Sequence, residues 1–152
     1  MGFRSTPAAR AKIRPARKRD AERIALLAGQ LGYPSSTARV LQRLDRIKGN
    51  NQHAVFVAES KDGRVVGWLH VFVGHLVESD PYAEIGGLVV DELHRSAGIG
   101  RLLLQRAEAW AHAKGCQTVR LRSNIIRKEA HEFYLKRGYN LTKTQHAFAK
   151  TL

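Results

Sequence analysis

An α/β sandwich is the fold that the sequence predicts, and three observations carry that expectation. Apolar residues switch repeatedly between the period of two that marks a strand and the period of about 3.6 that marks a helix. The runs follow the order β-α-α-β-β-β-α-β-α-β, with helices set among strands rather than gathered at one end. Gly- and Asn-rich punctuation separates them, without an internal repeat or a low-complexity linker. At 152 residues and 43% hydrophobic content, the chain is sized for one domain with a buried core.

Residues 1–11 read as a disordered leader and residues 12–152 as a single domain. KIRPAR (Lys12–Arg17) suits a short edge strand, because Pro15 cannot donate to an inner ladder. Asp20 suits the N-cap of a helix whose apolar face is Ile24, Leu26, Leu27 and Leu31 and which Gly32 stops. Pro34–Ser36 opens a second helix with Val40, Leu41, Leu44 and Ile47 inward, and Gly49–Asn51 ends it. Ala54–Glu59 and Arg64–Val73 are β-rich and joined by SKDG, which predicts a hairpin. The polar SDPY (Ser79–Tyr82) reads as a turn before a third run, Ala83–Val90. A helix over Leu102–Gly115 gathers Leu103, Leu104, Ala107, Trp110 and Ala111 on one side. Thr118–Ser123 is the next strand, Arg127–Gly138 the last helix and His146–Leu152 a final strand.

The net charge of +13 draws the chain toward polyanions, whether nucleic acid, anionic lipid or a phosphorylated cofactor. Much of it lies between Arg4 and Arg23, but no aromatic residue interleaves these cations as a single-strand-binding platform requires. Specific nucleic-acid binding is therefore not expected. No window approaches the roughly 18–20 apolar residues of a membrane span, and the N-terminus lacks a signal peptide's apolar core, so a cytoplasmic protein is expected. Cys116 is the only cysteine, which rules out an intramolecular disulfide and a cysteine-rich metal site. His70, His75, His94, His112 and His131 show no metal-ligand spacing and read as surface or packing residues; His131 alone suggests a substrate-side group.

HRSAGIGRLLL (His94–Leu104) places Gly98 and Gly100 between a strand and a helix. There the unpaired N–H groups and the positive end of the helix dipole form an anion site. Missing Cβ atoms let phosphate oxygens approach those N–H groups, and Arg95 adds positive charge. No Lys-Ser/Thr follows at P-loop spacing, and the third glycine of a dinucleotide fingerprint is absent.

Arg95-Ser96-Ala97-Gly98-Ile99-Gly100 resembles the R/Q-x-x-G-x-G/A acetyl-coenzyme A (acetyl-CoA) signature of the GNAT (general-control-related) N-acetyltransferase superfamily. Leu88-Val89-Val90 stands upstream at the family's distance, and Ala130–Tyr139 (AHEFYLKRGY) is similar to its closing A-x-x-x-Y-x-x-x-G-[FY] signature. The resemblance covers roughly residues 12–152. It implies a central mixed, mostly antiparallel twisted sheet of six to seven strands flanked by about four helices. It also implies an acetyl-CoA site at Leu88, Val89, Val90, Arg95, Ser96, Ala97, Gly98, Ile99, Gly100, Arg101, Phe133 and Tyr134. The family's Asn, three residues before the closing Ala, is here Arg127, with Asn124 one turn earlier; both are candidates for that contact.

In N-acetyl transfer an amine must lose a proton, reach the thioester carbonyl and expel a thiolate. The resemblance implies Tyr134 as the group that protonates the departing sulfur, while a backbone N–H near Val90 can hold the thioester oxygen. Glu84 is the candidate base: strand alternation would keep Glu84, Gly86, Leu88 and Val90 on one face, and the AEI stretch (Ala83–Ile85) is similar to the base-bearing stretch of the family's histone acetyltransferases. Glu84 could also serve only to bind the amine or pair with an arginine. Gly86 and Gly87 read as a bulge, as clearance for the reacting groups, or as both. Glu78, Asp80 and Glu84 would give a cationic acceptor a local negative field, with Asp91 and Glu92 just past the strand.

The expected activity is acetyl transfer from acetyl-CoA to a primary amine of a small molecule or protein, by direct attack in a ternary complex. A homodimer fits that reading; a metal or membrane partner does not. The rivals are a catalytically silent acyl-CoA-binding module and a basic nucleic-acid-binding protein.

Overall fold

The computed structural model describes residues 11–95 and 97–152. The expected leader lies outside the described residues except for Ala11. Two compact units result, one ending at Arg122 and the other running Ser123–Leu152.

The first unit holds a five-stranded sheet in the order β1 (Lys12–Pro15), β2 (His53–Glu59), β3 (Val65–Leu76), β4 (Ser79–Val90), β5 (Val119–Leu121). The first three pairings are antiparallel and β4–β5 is parallel, so the sheet is mixed. Among the described residues, five strands stand in place of the six to seven expected. The run His146–Leu152 takes no regular structure, and Phe148 and Leu152 stand 95% and 110% exposed. A strand persists through its ladder, and an alternating pattern alone does not supply one.

Helices α1 (Ala21–Leu31) and α2 (Thr37–Ile47) cover one face, where Ile24, Ala25, Leu27 and Val40 join Val57, Val65 and Val89 in a buried cluster. Helix α3 (Ile99–Ala113) packs on the opposite face: a Cβ on Gly67 would lie 3.2 Å from Leu103 and 3.6 Å from Ile99. Leu26, expected inward, is 54% exposed, because the narrower stripe of Ile24, Leu27 and Ala28 already fills the contact.

Local signals explain most boundaries. Ser36 accepts the Arg39 N–H as the α2 cap, and Gly32, at φ 99°, closes α1 in the left-handed conformation. The hairpin expected at SKDG forms, with Gly63 at φ 85°. Asp20 does not cap α1 with its side chain. It is 4% exposed and instead takes both arms of Arg14, at 2.8 and 2.9 Å, and the Arg17 N–H at 2.7 Å. Burial pushes its carboxyl up, but the Arg14 and Arg17 bonds outweigh that and hold it below the ordinary carboxylate range. SDPY is strand rather than turn. Pro81 is tolerated where the β3–β4 register slips between Gly74 and Leu76, and its neighbour Tyr82 lies over Gly74, where a Cβ would force the tyrosine ring to move.

The second unit contains α4 (Lys128–Lys136), followed by Gly138 at φ 90°. Among the described residues, no helix is long and apolar enough to cross a membrane.

Candidate functional site

Strand β4 is irregular at the two glycines. His70 pairs with Gly87 while Val71 pairs with Ile85, so Gly86 is an extra residue and the strand bulges there. The bulge resets the alternation. Glu84 stands opposite Phe72 and Val89 opposite Trp68, on the face covered by α1 and α2, whereas Leu88 opposes Leu69 and Val90 opposes Gly67 on the α3 face. The expected common face of Glu84, Gly86, Leu88 and Val90 is therefore corrected: one inserted residue moves everything beyond it to the other side. Strand β5 accompanies β4 only from Ala83 to Ile85. Among the described residues, Gly86–Val90 has no strand beside it on that edge, so its outward backbone groups can hydrogen-bond an extended, amide-bearing molecule.

The chain after β4 leads directly to a helix start. Arg95 Nε donates to the Val90 carbonyl at 3.1 Å and ties the loop to the strand end. Ser96 lies outside the described residues. Ala97 is half-buried, and Gly98 adopts the left-handed conformation (φ 82°, ψ 6°) as the N-cap of α3, with no side chain to occupy the cap. The first intrahelical bond runs from Leu102 N to Gly98 O at 3.2 Å, so the N–H groups of Ile99, Gly100 and Arg101 point out of the helix. Ile99, 2% exposed, pins this turn to the core, and Arg101 is exposed beside it. The result is a pinned, positively polarised cradle suited to a pyrophosphate.

On the α1–α2 face a cleft of about 790 Å³ is walled by residues that include Leu31, Tyr33 and Arg43 and floored by Trp68, His70 and Gly86. The Trp68 indole N–H is buried without a partner among the described residues. His70 Nε2 lies 3.0 Å from His53 Nδ1. Burial first, then the neighbouring His53, lowers the His70 pKa from 6.5 to about 4, so the ring is neutral near pH 7. Glu84 does not line the cleft; its carboxylate lies 3.9 Å from Arg120 Nε and 4.0 Å from Arg122 Nε, the arginine pairing foreseen as one alternative. Glu78 and Asp80 are likewise absent from the lining. Asp91 is buried, bonded to Arg23 at 3.1 Å and to the Leu93 N–H at 3.2 Å, and is spent on structure rather than on a field.

In the second unit, the Asn124 side chain accepts the Ile126 N–H at 3.1 Å, and its carbonyl accepts the Arg127 N–H and contacts His131 Nε2, each at 2.9 Å. Asn124 and His131 thus build the turn into α4, and Arg127 is the N-cap residue. Tyr134 meets Phe133 and Tyr139 edge-on, with ring centroids 5.2 and 5.8 Å away. Burial pushes the Tyr134 phenol above its ordinary pKa, with Arg127 opposing, so it keeps its proton at neutral pH.

Motifs and periodicity do not single out Trp68, the His53–His70 pair or Arg43. A signal exists for two of them: in VVGWLHVFV, Trp68, His70 and Phe72 share one face by alternation. Placing His53 beside them needs the β2–β3 register.

A model of the acetyltransferase (GNAT) family matches residues 17–139. The aminoglycoside N(6')-acetyltransferase type 1 of Stenotrophomonas maltophilia is 30% identical over 135 residues, spanning 86% of this chain and 87% of that protein. The aminoalkylphosphonate N-acetyltransferase of Salmonella typhimurium is 37% identical over 93 residues, 60% of this chain and 59% of that one. Among solved structures, an aminoglycoside N-acetyltransferase in complex with CoA superposes with a TM-score of 0.83 at 20% identity, covering 93% of this chain and 95% of that one.

Proposed function

Because the chain belongs to the acetyltransferase (GNAT) family and is an N-acetyltransferase with acetyl-CoA as donor, we propose that it acetylates the primary amine of a small, anion-bearing molecule by direct attack in a ternary complex. The observation that carries the acceptor class is the cleft lining: Arg43 is its charged side chain, and no carboxylate is among the described residues that line it. A polycationic acceptor would find no counter-charge there, whereas an amine bearing a phosphonate or carboxylate would find one guanidinium. One relative carries the name of an aminoalkylphosphonate enzyme, in keeping with this choice.

Bound acetyl-CoA supplies the activated acetyl group. The first-turn N–H groups of α3, with Arg95 and Arg101, bind its pyrophosphate; Ser96, Ala97 and Ile99 complete the loop. The open edge at Leu88, Val89 and Val90 orients its amide arm, and Phe133 with Asn124 or Arg127 adds contacts from the closing signature. The Val90 N–H holds the thioester oxygen, and Tyr134, protonated at neutral pH, gives its proton to the leaving sulfur. Glu84 stands outside the cleft lining on the same sheet face as His70, and two guanidinium groups within 4.0 Å compete for its lone pairs, which favours arginine pairing over the role of base. Residues 12–152 act as one acetyltransferase domain, supported by a family match that continues past Arg122.

A free-thiol release assay over a panel of amines tests the reading. Release is expected to be fastest with aminoalkylphosphonates and amino acids, and Arg43→Gln should raise KM for those acceptors. Tyr134→Phe should lower kcat about 10- to 1,000-fold with acetyl-CoA affinity nearly constant. Binding of acetyl-CoA without thiol release on any amine would leave a silent acyl-CoA-binding module.

A further inference from the structure

The reaction requires a group that removes a proton from the acceptor's ammonium, and the cleft floor offers one that the family signatures do not mark. His70 and His53 stand on neighbouring strands, β3 and β2, with their rings stacked at 5.3 Å and 24°. The two ring nitrogens of His70 face different surroundings. Nε2 is 3.0 Å from His53 Nδ1, while Nδ1 faces the bulge, 3.3 Å from where a Cβ of Gly86 would stand. Gly86 therefore leaves open the space directly in front of a ring nitrogen. His53, for its part, lines a second cleft of about 990 Å³ shared with Lys18, Asp45 and Trp110. The histidine pair thus joins the two clefts.

We infer that His70, backed by His53, takes the acceptor amine's proton at the Gly86 bulge and relays it toward the second cleft. The inference rests on the amine-acetyltransferase reading above. The step uses one tautomer pair, in which His70 Nε2–H donates to His53 Nδ1 and His70 Nδ1 carries the free lone pair. The ammonium nitrogen loses a proton to His70 Nδ1, the Nε2 proton passes to His53 Nδ1, and one proton leaves His53 Nε2 to water. Both rings stay neutral and return to their starting tautomers when the emptied cleft refills with water. The freed amine lone pair forms the C–N bond as the thioester C–S bond breaks; the sulfur leaves with that electron pair and takes the Tyr134 proton, and the second proton of the acylated nitrogen passes through water to the Tyr134 oxygen, which leaves a neutral amide and a neutral phenol. The lowered pKa of His70 keeps its lone pair available throughout the neutral range. The titratable and charged groups set around it are His53 from β2, Glu84 on the same face of β4, and Tyr33 and Arg43 in the cleft wall.

The test uses the full chain, acetyl-CoA and the best acceptor of the panel. His70→Gln should lower kcat about 100- to 10,000-fold, the range of a lost general base, while calorimetric affinity for acetyl-CoA stays within about two-fold. His70→Ala should regain activity when imidazole is added, which a packing role would not produce. His53→Gln, at the half-buried end of the pair, should lower kcat about 10-fold and covers the case in which the His70 variants fail to fold. In the wild-type protein, histidine NMR should show one imidazole that stays neutral down to about pH 4. Wild-type kcat in His70→Gln, or in His53→Gln where the His70 variants do not fold, would overturn the relay. If the wild-type protein itself released no thiol with any amine, the fault would lie with the acetyltransferase reading instead.

Discussion

Two glycine pairs, Gly86–Gly87 in β4 and Gly98–Gly100 at the start of α3, look alike in the sequence and work by different physics. Gly98 is required by its backbone: φ of 82° is open to glycine and strained for a side chain. Gly86 and Gly87 are not in that conformation. They are required by space, since a Cβ on Gly87 would lie 2.9 Å from the Trp68 ring and one on Gly86 would lie 3.3 Å from His70 Nδ1. One pair answers a local turn, the other answers side chains on the neighbouring strand. A motif search sees the first, because its cause lies within a few residues; the second depends on a strand some twenty residues upstream.

The largest effect should come from the pair defined by space. Gly87→Ala must displace the half-buried Trp68 ring and should destabilise the protein by about 1–3 kcal/mol, read by denaturant unfolding. A smaller ring at position 68 should restore most of the loss, which separates overpacking from backbone strain. Gly98→Ala should cost about 1–2 kcal/mol through left-handed backbone strain, and no second-site change in a side chain should restore it. If both variants responded equally to a smaller ring at position 68, the distinction between the pairs would fail.

Gly100→Val sharpens the comparison from the ligand side. It stands inside the first turn of α3, so stability should move by less than about 1 kcal/mol, the range of a helix-propensity change. Acetyl-CoA affinity should nonetheless fall about 10-fold, because the added side chain covers N–H groups that receive phosphate. Wild-type affinity by calorimetry would remove the pyrophosphate cradle from the mechanism. Added salt should weaken the wild-type affinity as well, since exposed charges bind the phosphates.

The most specific effect is in pH. His70 titrates at about 4 when folded against 6.5 unfolded, so the unfolded chain binds more protons between those values. Stability should therefore decline as pH falls from 6.5 and level off near 4, and His70→Gln should flatten that limb. Asp20 acts lower: its folded pKa is depressed below 3.8, so its contribution is complete above 3.8 and is lost as pH falls through the folded value. Two separate acid limbs are expected in unfolding curves, the upper one belonging to the bulge and the lower one to the Arg14–Asp20 anchor.

Much of the fold is legible in the amino-acid sequence because its signals are local. Capping at Ser36, the stops at Gly32 and Gly115, the SKDG hairpin and the helical stripe of Leu103, Leu104, Ala107 and Ala111 each depend on residues a few positions apart. The phosphate cradle belongs to the same class, since a glycine cap and a helix dipole are written within one turn of chain. The remaining features need register. Whether His146–Leu152 ladders, whether SDPY turns or pairs, which face Glu84 takes beyond a one-residue bulge, and whether His53 meets His70 all depend on which strand lies opposite. Periodicity reports that a residue has a side; it cannot report what stands across from it, because that choice is made by long-range pairing and burial summed over the whole sheet.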